Sequence, residues 1–159
     1  MKISVMGTGY VGLVSGTCLA ERGHQVTCID IRSEVVQEIN AGRPPIHEMG
    51  LDNLLRSARD KGMLSATTDA KTAILDSDVT LICVGTPTVD GRMDMSQIVA
   101  AAKEIGSALA SKRGYHVVAV KSTVLPGTTE GPVKAAIESH SGKKVGQGWG
   151  SVSYTHLKL

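Results

Sequence analysis

Near the start of the chain, Gly7-Thr8-Gly9-Tyr10-Val11-Gly12 is followed eighteen positions later by Asp30. Glycines and an acid at this spacing suit a dinucleotide, held by its pyrophosphate and its ribose. Gly7 permits a tight turn out of a strand. Gly9 lets the backbone approach a phosphate with no Cβ between them, and Gly12 lets a helix lie close on a sheet. The helix that begins there offers unpaired N–H groups and a partial positive charge to the phosphates. Asp30 stands where a carboxylate accepts hydrogen bonds from the adenosine ribose hydroxyls. A 2′-phosphate in that place would be repelled by about 4 kcal/mol, for unit charges ~4 Å apart at an effective dielectric of about 20. Arg32 pulls the other way, since an arginine there can accept a 2′-phosphate. With the acid present, NAD rather than NADP is the expected cofactor.

Two later stretches extend the same chemistry. Gly85-Thr86-Pro87 and Ser122-Thr123 each follow an apolar run, Val79 to Val84 and His116 to Val120. In α/β sheets, ligands bind outside the carboxyl ends of the strands, where strand order reverses. Gly85 leaves room for a cofactor, while Thr86, Ser122 and Thr123 offer hydroxyls to ribose or phosphate. Each stretch could by itself be a plain turn; their joint placement at one sheet edge favours a ligand.

Nothing else assembles a site. His24, His116 and His140 are read as surface or capping residues, and His47-Glu48 as part of a solvated, proline-bounded loop. No catalytic triad, carboxylate pair, P-loop lysine or metal-ligand set can be identified, so neither a catalytic nor a metal-binding residue is named. Cys18, Cys28 and Cys83 lie in apolar runs without ligand spacing and are expected to be buried free thiols of a reducing cytosol.

The elements that must position these residues alternate. A strand at Lys2 to Met6 leads into a helix from Val11 to Arg22, with Val14, Cys18 and Leu19 at helical spacing and Gly23 as terminator. A second strand covers Gln25 to Asp30. Ser33 is a plausible N-cap for the next helix, and Pro44-Pro45 interrupts regular structure after it. Helices are expected at Leu51 to Lys61, with Leu51, Leu54, Leu55 and Ala58 on one face, from Asp69 to Leu75, from Ser96 to Ser111, and from Thr128 or Thr129 to about Ser141. Ser65 to Thr68 is a candidate edge strand, and Asp90-Gly91 lies in a polar loop. Alternating strands and helices imply a doubly wound parallel α/β sheet of the Rossmann type.

The 159 residues suffice for one domain with a core, and 42% hydrophobic with 20% charged residues is ordinary globular composition. A net charge of +2, no Phe and a single Trp exclude a basic, base-stacking nucleic-acid surface. No apolar run is long enough for a membrane span or a signal peptide, and a cytoplasmic protein is expected.

Four ordered motifs carry a family resemblance: Gly7 to Gly12; Pro45-Ile46-His47-Glu48-Met49-Gly50-Leu51; Cys83-Val84-Gly85-Thr86-Pro87; and Lys121-Ser122-Thr123-Val124-Leu125-Pro126-Gly127-Thr128. From Met1 to about Lys144 the chain resembles the N-terminal NAD-binding domain of the UDP-glucose/GDP-mannose dehydrogenase family. The last motif and Ser141-Gly142-Lys143-Lys144 look most like the GDP-mannose branch. The resemblance implies that Tyr10, Val11, Asp30, Thr86 and Thr123 contact NAD. It also implies that the whole enzyme oxidises a sugar C6 alcohol to a carboxylate in two hydride transfers, through a thioester-forming cysteine. Relatives of full length homodimerise and take a nucleotide-sugar substrate.

The chain departs from the family at several places. Met49 stands where relatives usually have proline, and Val35 where a lysine can lie near the adenosine. The Gly-Gly-x-Cys segment with the catalytic cysteine and the Asn-Pro-Glu-Phe segment are not in the chain, so it is expected to be inactive alone. The domain is expected to span residues 1–144 and to lack its last strand. Residues 145–159 are read as a tail of non-native origin, with a genuine short extension as the alternative. Two other functions fit the residues: a free-standing NAD-binding or sensing module, and an S-adenosylmethionine-dependent methyltransferase, which leaves Gly85-Thr86-Pro87 unexplained.

Overall fold

Strands that are apolar on both faces need covering on both, and the helices between them supply it. A computed structural model describes residues 1–153. Strands β1 (Lys2–Met6), β2 (Gln25–Ile29), β3 (Leu64–Thr67), β4 (Val79–Ile82), β7 (His116–Val120) and β8 (Trp149–Ser153) form one sheet, in the order β3-β2-β1-β4-β7-β8. Every pairing in it is parallel. Strand order reverses at β1, which has β2 on one side and β4 on the other. This is the doubly wound topology expected from the sequence.

Helices α1 (Tyr10–Glu21), α2 (Ser33–Asn40) and α3 (Leu51–Asp60) accompany one core cluster, in which Leu13, Val35, Ile39 and Leu55 pack with Val5 and Cys28. Helices α4 (Ala70–Leu75), α5 (Ser96–Ser111) and α6 (Lys134–Ser141) accompany the other, where Ile74, Ile98, Ile105 and Ile137 pack with Met6, Ile82 and Trp149. A π-turn, Thr129–Val133, leads into α6.

Several expectations are corrected. The sheet does not lack its last strand: Trp149–Ser153 forms β8, parallel to β7. Trp149 anchors it, fully buried, with Nε1–H donating to the Lys143 carbonyl at 3.3 Å. The unpaired edge expected at β7 is therefore covered, although residues 154–159 of the doubted tail lie outside the described residues. The polar loop around Asp90-Gly91 is a two-stranded ribbon, β5 (Thr88–Val89) against β6 (Arg92–Met93), and both turn residues have positive φ. Asp-Gly is suited to that turn because each residue tolerates the left-handed region.

The buried face of α1 is Gly12, Leu13, Gly16, Thr17 and Ala20, not the expected stripe, so Cys18 is exposed while Cys28 and Cys83 are buried. Small residues face the sheet here because α1 lies too close to it for long side chains. Leu54 is exposed, and Leu51, Leu55 and Ala58 make the inner face of α3. Arg32, with extended backbone, holds the cap position of α2, and Ser33 begins the helix. His116 is fully buried rather than a surface residue. Its Nδ1–H donates to the Ser77 carbonyl at 3.1 Å, and its Nε2 lies 2.8 Å from the Thr80 hydroxyl. Among the described residues, no helix is long and apolar enough to cross a membrane.

Candidate functional site

Gly7 ends β1 with φ +96°, a conformation that favours glycine, and a Cβ there would fall 2.8 Å from the Cys83 carbonyl oxygen. At Gly12 a Cβ would fall 1.9 Å from the Gly7 carbonyl oxygen, so only glycine lets α1 sit this close to the turn. Gly9 differs: a Cβ built there meets no atom within 4 Å. It faces open space, and that space is the cleft where a side chain would stand in a phosphate's way. No side chain caps α1 and no acid lies in its first turn. Its first N–H groups are left for an anionic ligand.

The cleft, of about 780 Å³, runs along the carboxyl edge of the sheet over the ends of β1, β2, β4 and β7. Of the residues named from sequence, Gly7, Gly9, Tyr10, Val11, Asp30 and Arg32 line one stretch of it. Gly85, Thr86, Ser122 and Thr123 line the other. Gly12 does not face the cleft; its part is the close packing just described. Tyr10 and Val11 are exposed at its wall.

Asp30 is 7% exposed and heavily engaged. It accepts the Thr8 hydroxyl proton and, at 3.4 Å, the Thr8 backbone N–H. Arg32 donates to it three times, from the backbone N at 3.1 Å, Nε at 3.0 Å and Nη2 at 3.2 Å. Burial by itself would raise the Asp30 pKa, but the hydrogen bonds from Arg32 and Thr8 outweigh it and hold the carboxyl below its ordinary range. Arg32 is thus the clamp on Asp30 as well as the cation at the cleft's mouth.

The far end is tied together by hydroxyls. Thr86 Oγ1–H donates to the Thr123 carbonyl at 2.7 Å, joining the segments that follow β4 and β7. Ser122, buried, donates to the Val84 carbonyl at 2.7 Å, so its hydroxyl holds the strand ends as well as lining the cleft. Gly85 leaves room for Gln97, whose Oε1 lies 3.3 Å from the Gly85 Cβ position.

Sequence reasoning missed one wall. Gln97, Ala100, Ala101 and Glu104 of α5 line the cleft. Their i, i+3, i+4, i+7 spacing was visible, but nothing local tells a cleft-facing stripe from a solvated one. His47 and Glu48 are exposed and do not line the cleft. Val35 is a buried member of the core. No cluster of His, Cys, Asp and Glu among the described residues could hold a metal ion.

A glycine turn at a helix N-terminus, an acid ending the second strand and a cleft across the switch point define a dinucleotide-binding domain. Similarity to known proteins places it further. Residues 1–155 match the model of the UDP-glucose/GDP-mannose dehydrogenase family, NAD binding domain, and the chain belongs to this family. That match extends past residue 144 into the stretch read from sequence as a foreign tail. The chain is 49% identical, over 94% of its length, to GDP-mannose 6-dehydrogenase of Pseudomonas aeruginosa. It is 45% identical, over 93%, to UDP-glucose 6-dehydrogenase of Haloferax volcanii. A crystal structure of a ternary complex of GDP-mannose dehydrogenase from P. aeruginosa superposes over 96% of the chain with a TM-score of 0.94 at 48% identity. The chain spans 35% of that structure, and 35% and 34% of the two relatives.

Proposed function

We propose that this chain is the NAD-binding portion of a nucleotide-sugar 6-dehydrogenase, with GDP-mannose or UDP-glucose as the substrate of the whole enzyme. The supporting observation is the cleft itself, along which the residues expected to hold NAD, Gly12 excepted, are gathered in the order a dinucleotide needs. The free N–H groups of α1 hold the pyrophosphate, with Gly9 leaving room for it. Asp30 orients the adenosine ribose, exchanging part of its Arg32 contact for the ribose hydroxyls. Thr86 and Thr123, at the other end, position the nicotinamide half. Bound NAD would supply the hydride acceptor for both oxidation steps.

The chain does not carry the rest of the chemistry. Oxidation of an alcohol to a carboxylate through a thioester needs an accessible thiolate. Burial pushes the Cys28 thiol up to about 12 and the Cys83 thiol up to about 11, so both stay protonated. Cys18 is exposed on α1 but does not line the cleft. The chain alone is therefore inactive, and the rest of the whole enzyme completes the site. The free thiols fit a reducing, cytosolic setting.

Incubating the purified chain with NAD and either GDP-mannose or UDP-glucose should give NAD binding by calorimetry and no NADH absorbance. Steady turnover would overturn the need for the missing part, and no NAD binding would overturn the site.

A further inference from the structure

The wall of the cleft supplied by α5 presents Gln97, Ala100, Ala101 and Glu104 on one helix face. Gln97 sits at the Gly85 end, its Oε1 3.3 Å from where a Gly85 Cβ would stand. Glu104, seven residues on, lies about 10 Å further along the axis, away from Thr86 and Thr123. The segment after β2 forms part of the same cleft and brings Ile31 and Arg32 to it. Ile31 is 91% exposed and Ala100 is exposed as well, so both offer apolar surface to the cleft. Arg32 is already paired with Asp30. The Glu104 side chain makes no hydrogen bond or ion pair with any of the described residues. A carboxylate lining a ligand cleft with no protein partner is a free acceptor.

We infer that Glu104 reads the 6-amino group of the adenine ring and so sets the base specificity of the cofactor. This rests on the NAD site proposed above. With the pyrophosphate at the glycine turn and the ribose at Asp30, the base lies beyond Asp30, at the end of the cleft away from Thr86 and Thr123. Its flat faces suit Ile31 and Ala100, and its amino N–H donates to a Glu104 carboxylate oxygen. A base with oxygen at that position sets acceptor against acceptor. Such a mismatch leaves a charged group without its hydrogen bond, which weakens binding by about tenfold or more.

The test is calorimetry on the 159-residue chain with NAD and with nicotinamide hypoxanthine dinucleotide, which differs in that one group, in the wild type and in Glu104→Gln. The wild type is expected to bind NAD at least about tenfold more tightly. In E104Q the preference should shrink to within about twofold, because a carboxamide can turn its oxygen toward an amino group or its N–H toward a carbonyl. Glu104 is exposed and without partners among the described residues, so the substitution leaves the fold intact. An unchanged preference in E104Q, or none in the wild type, would overturn the role of Glu104 while leaving the cofactor site standing. Failure of the wild type to bind NAD would overturn the site itself.

Discussion

Asp30 and Arg32 act as one unit, and cofactor choice turns on how they share charge. The Arg32 side chain is 55% exposed while that of Asp30 is 7% exposed, so the guanidinium forms the outer layer over a buried carboxylate. With Arg32 in place, the repulsion that Asp30 exerts on a 2′-phosphate is partly neutralised. Removing the cation leaves the acid bare. Arg32→Ala should therefore lower NADP affinity by about tenfold, a modest fraction of the unscreened repulsion, and change NAD affinity little. Titrating both dinucleotides against wild type and variant checks this, and unchanged or tighter NADP binding in the variant would contradict it. Asp30 was legible from its spacing to the glycines. Its clamping by Arg32 was not, because the side-chain geometry two residues away depends on how the chain turns after β2.

At the scale of elements, two lysines close the ends of helices. Lys112, just past α5, donates through Nζ to the carbonyls of Ile74, Leu75 and Ser77 at 2.9, 2.7 and 2.6 Å, at the end of α4. Lys143 does the same for α5, reaching the carbonyls of Leu109 and Lys112 at 2.6 and 2.5 Å. Helix C-termini leave carbonyls unsatisfied, and an ammonium there also complements the dipole. Lys112→Met keeps the aliphatic stem and removes the donor. Water replaces part of what is lost, leaving a destabilisation of about 2 kcal/mol, or a Tm lowered by roughly 4–8 °C for a chain of this size. A Tm within about 1 °C of wild type would show that water alone serves the carbonyls. The same elements held most of the helix boundaries read from sequence, since Asp69, Gly23 and Gly142 mark ends by their own chemistry. Asp69 accepts the Thr72 N–H at 3.0 Å, as an N-cap should.

Across the whole molecule, one polar ring is built into the sheet's interior. The Ser77 hydroxyl donates to Ser4 at 3.0 Å, the Ser4 and Thr80 hydroxyls are hydrogen-bonded at 2.7 Å, and Thr80 lies 2.8 Å from His116 Nε2. His116 Nδ1–H returns to the Ser77 carbonyl at 3.1 Å. In the neutral imidazole Nε2 accepts from the Thr80 hydroxyl and the circuit runs one way round. Burial, reinforced by nearby Lys112, lowers the His116 pKa to about 4. The unfolded chain binds the proton at about 6.5. Its contribution to stability is therefore complete above about pH 6.5 and is lost as pH falls toward about 4. The size is on the order of 3 kcal/mol. Urea unfolding between about pH 6.5 and 4.5 should show stability falling, and His116→Gln should flatten that slope. Asp30 and the other paired carboxylates begin to lose their contribution only near about pH 5, so the slope between about pH 6.5 and 5.5 reports His116. A His116 imidazole signal, identified by its loss in His116→Gln, that titrates in the folded protein near the ordinary value of about 6.5 would refute the assignment.

The sequence alone determined the α/β alternation, the glycine turn, Asp30 and the strand-end residues Gly85, Thr86, Ser122 and Thr123. These are local: a tight turn, a helix start and a buried parallel strand each demand particular residue types within a few positions. Tertiary structure decided the rest. Val14 and Cys18 looked like a buried stripe, yet α1 turns Gly16 and Thr17 to the sheet because it lies too close for larger side chains. His116 looked like a surface or capping residue until β1, β4 and the turn before β4 brought Ser4, Thr80 and Ser77 around it. Trp149, in a segment with no strand signature of its own, became the anchor of β8 because β7 offered it an open edge. The α5 stripe with Glu104 could not be told from a solvated one, since a helix stripe faces a cleft or solvent according to what packs opposite it.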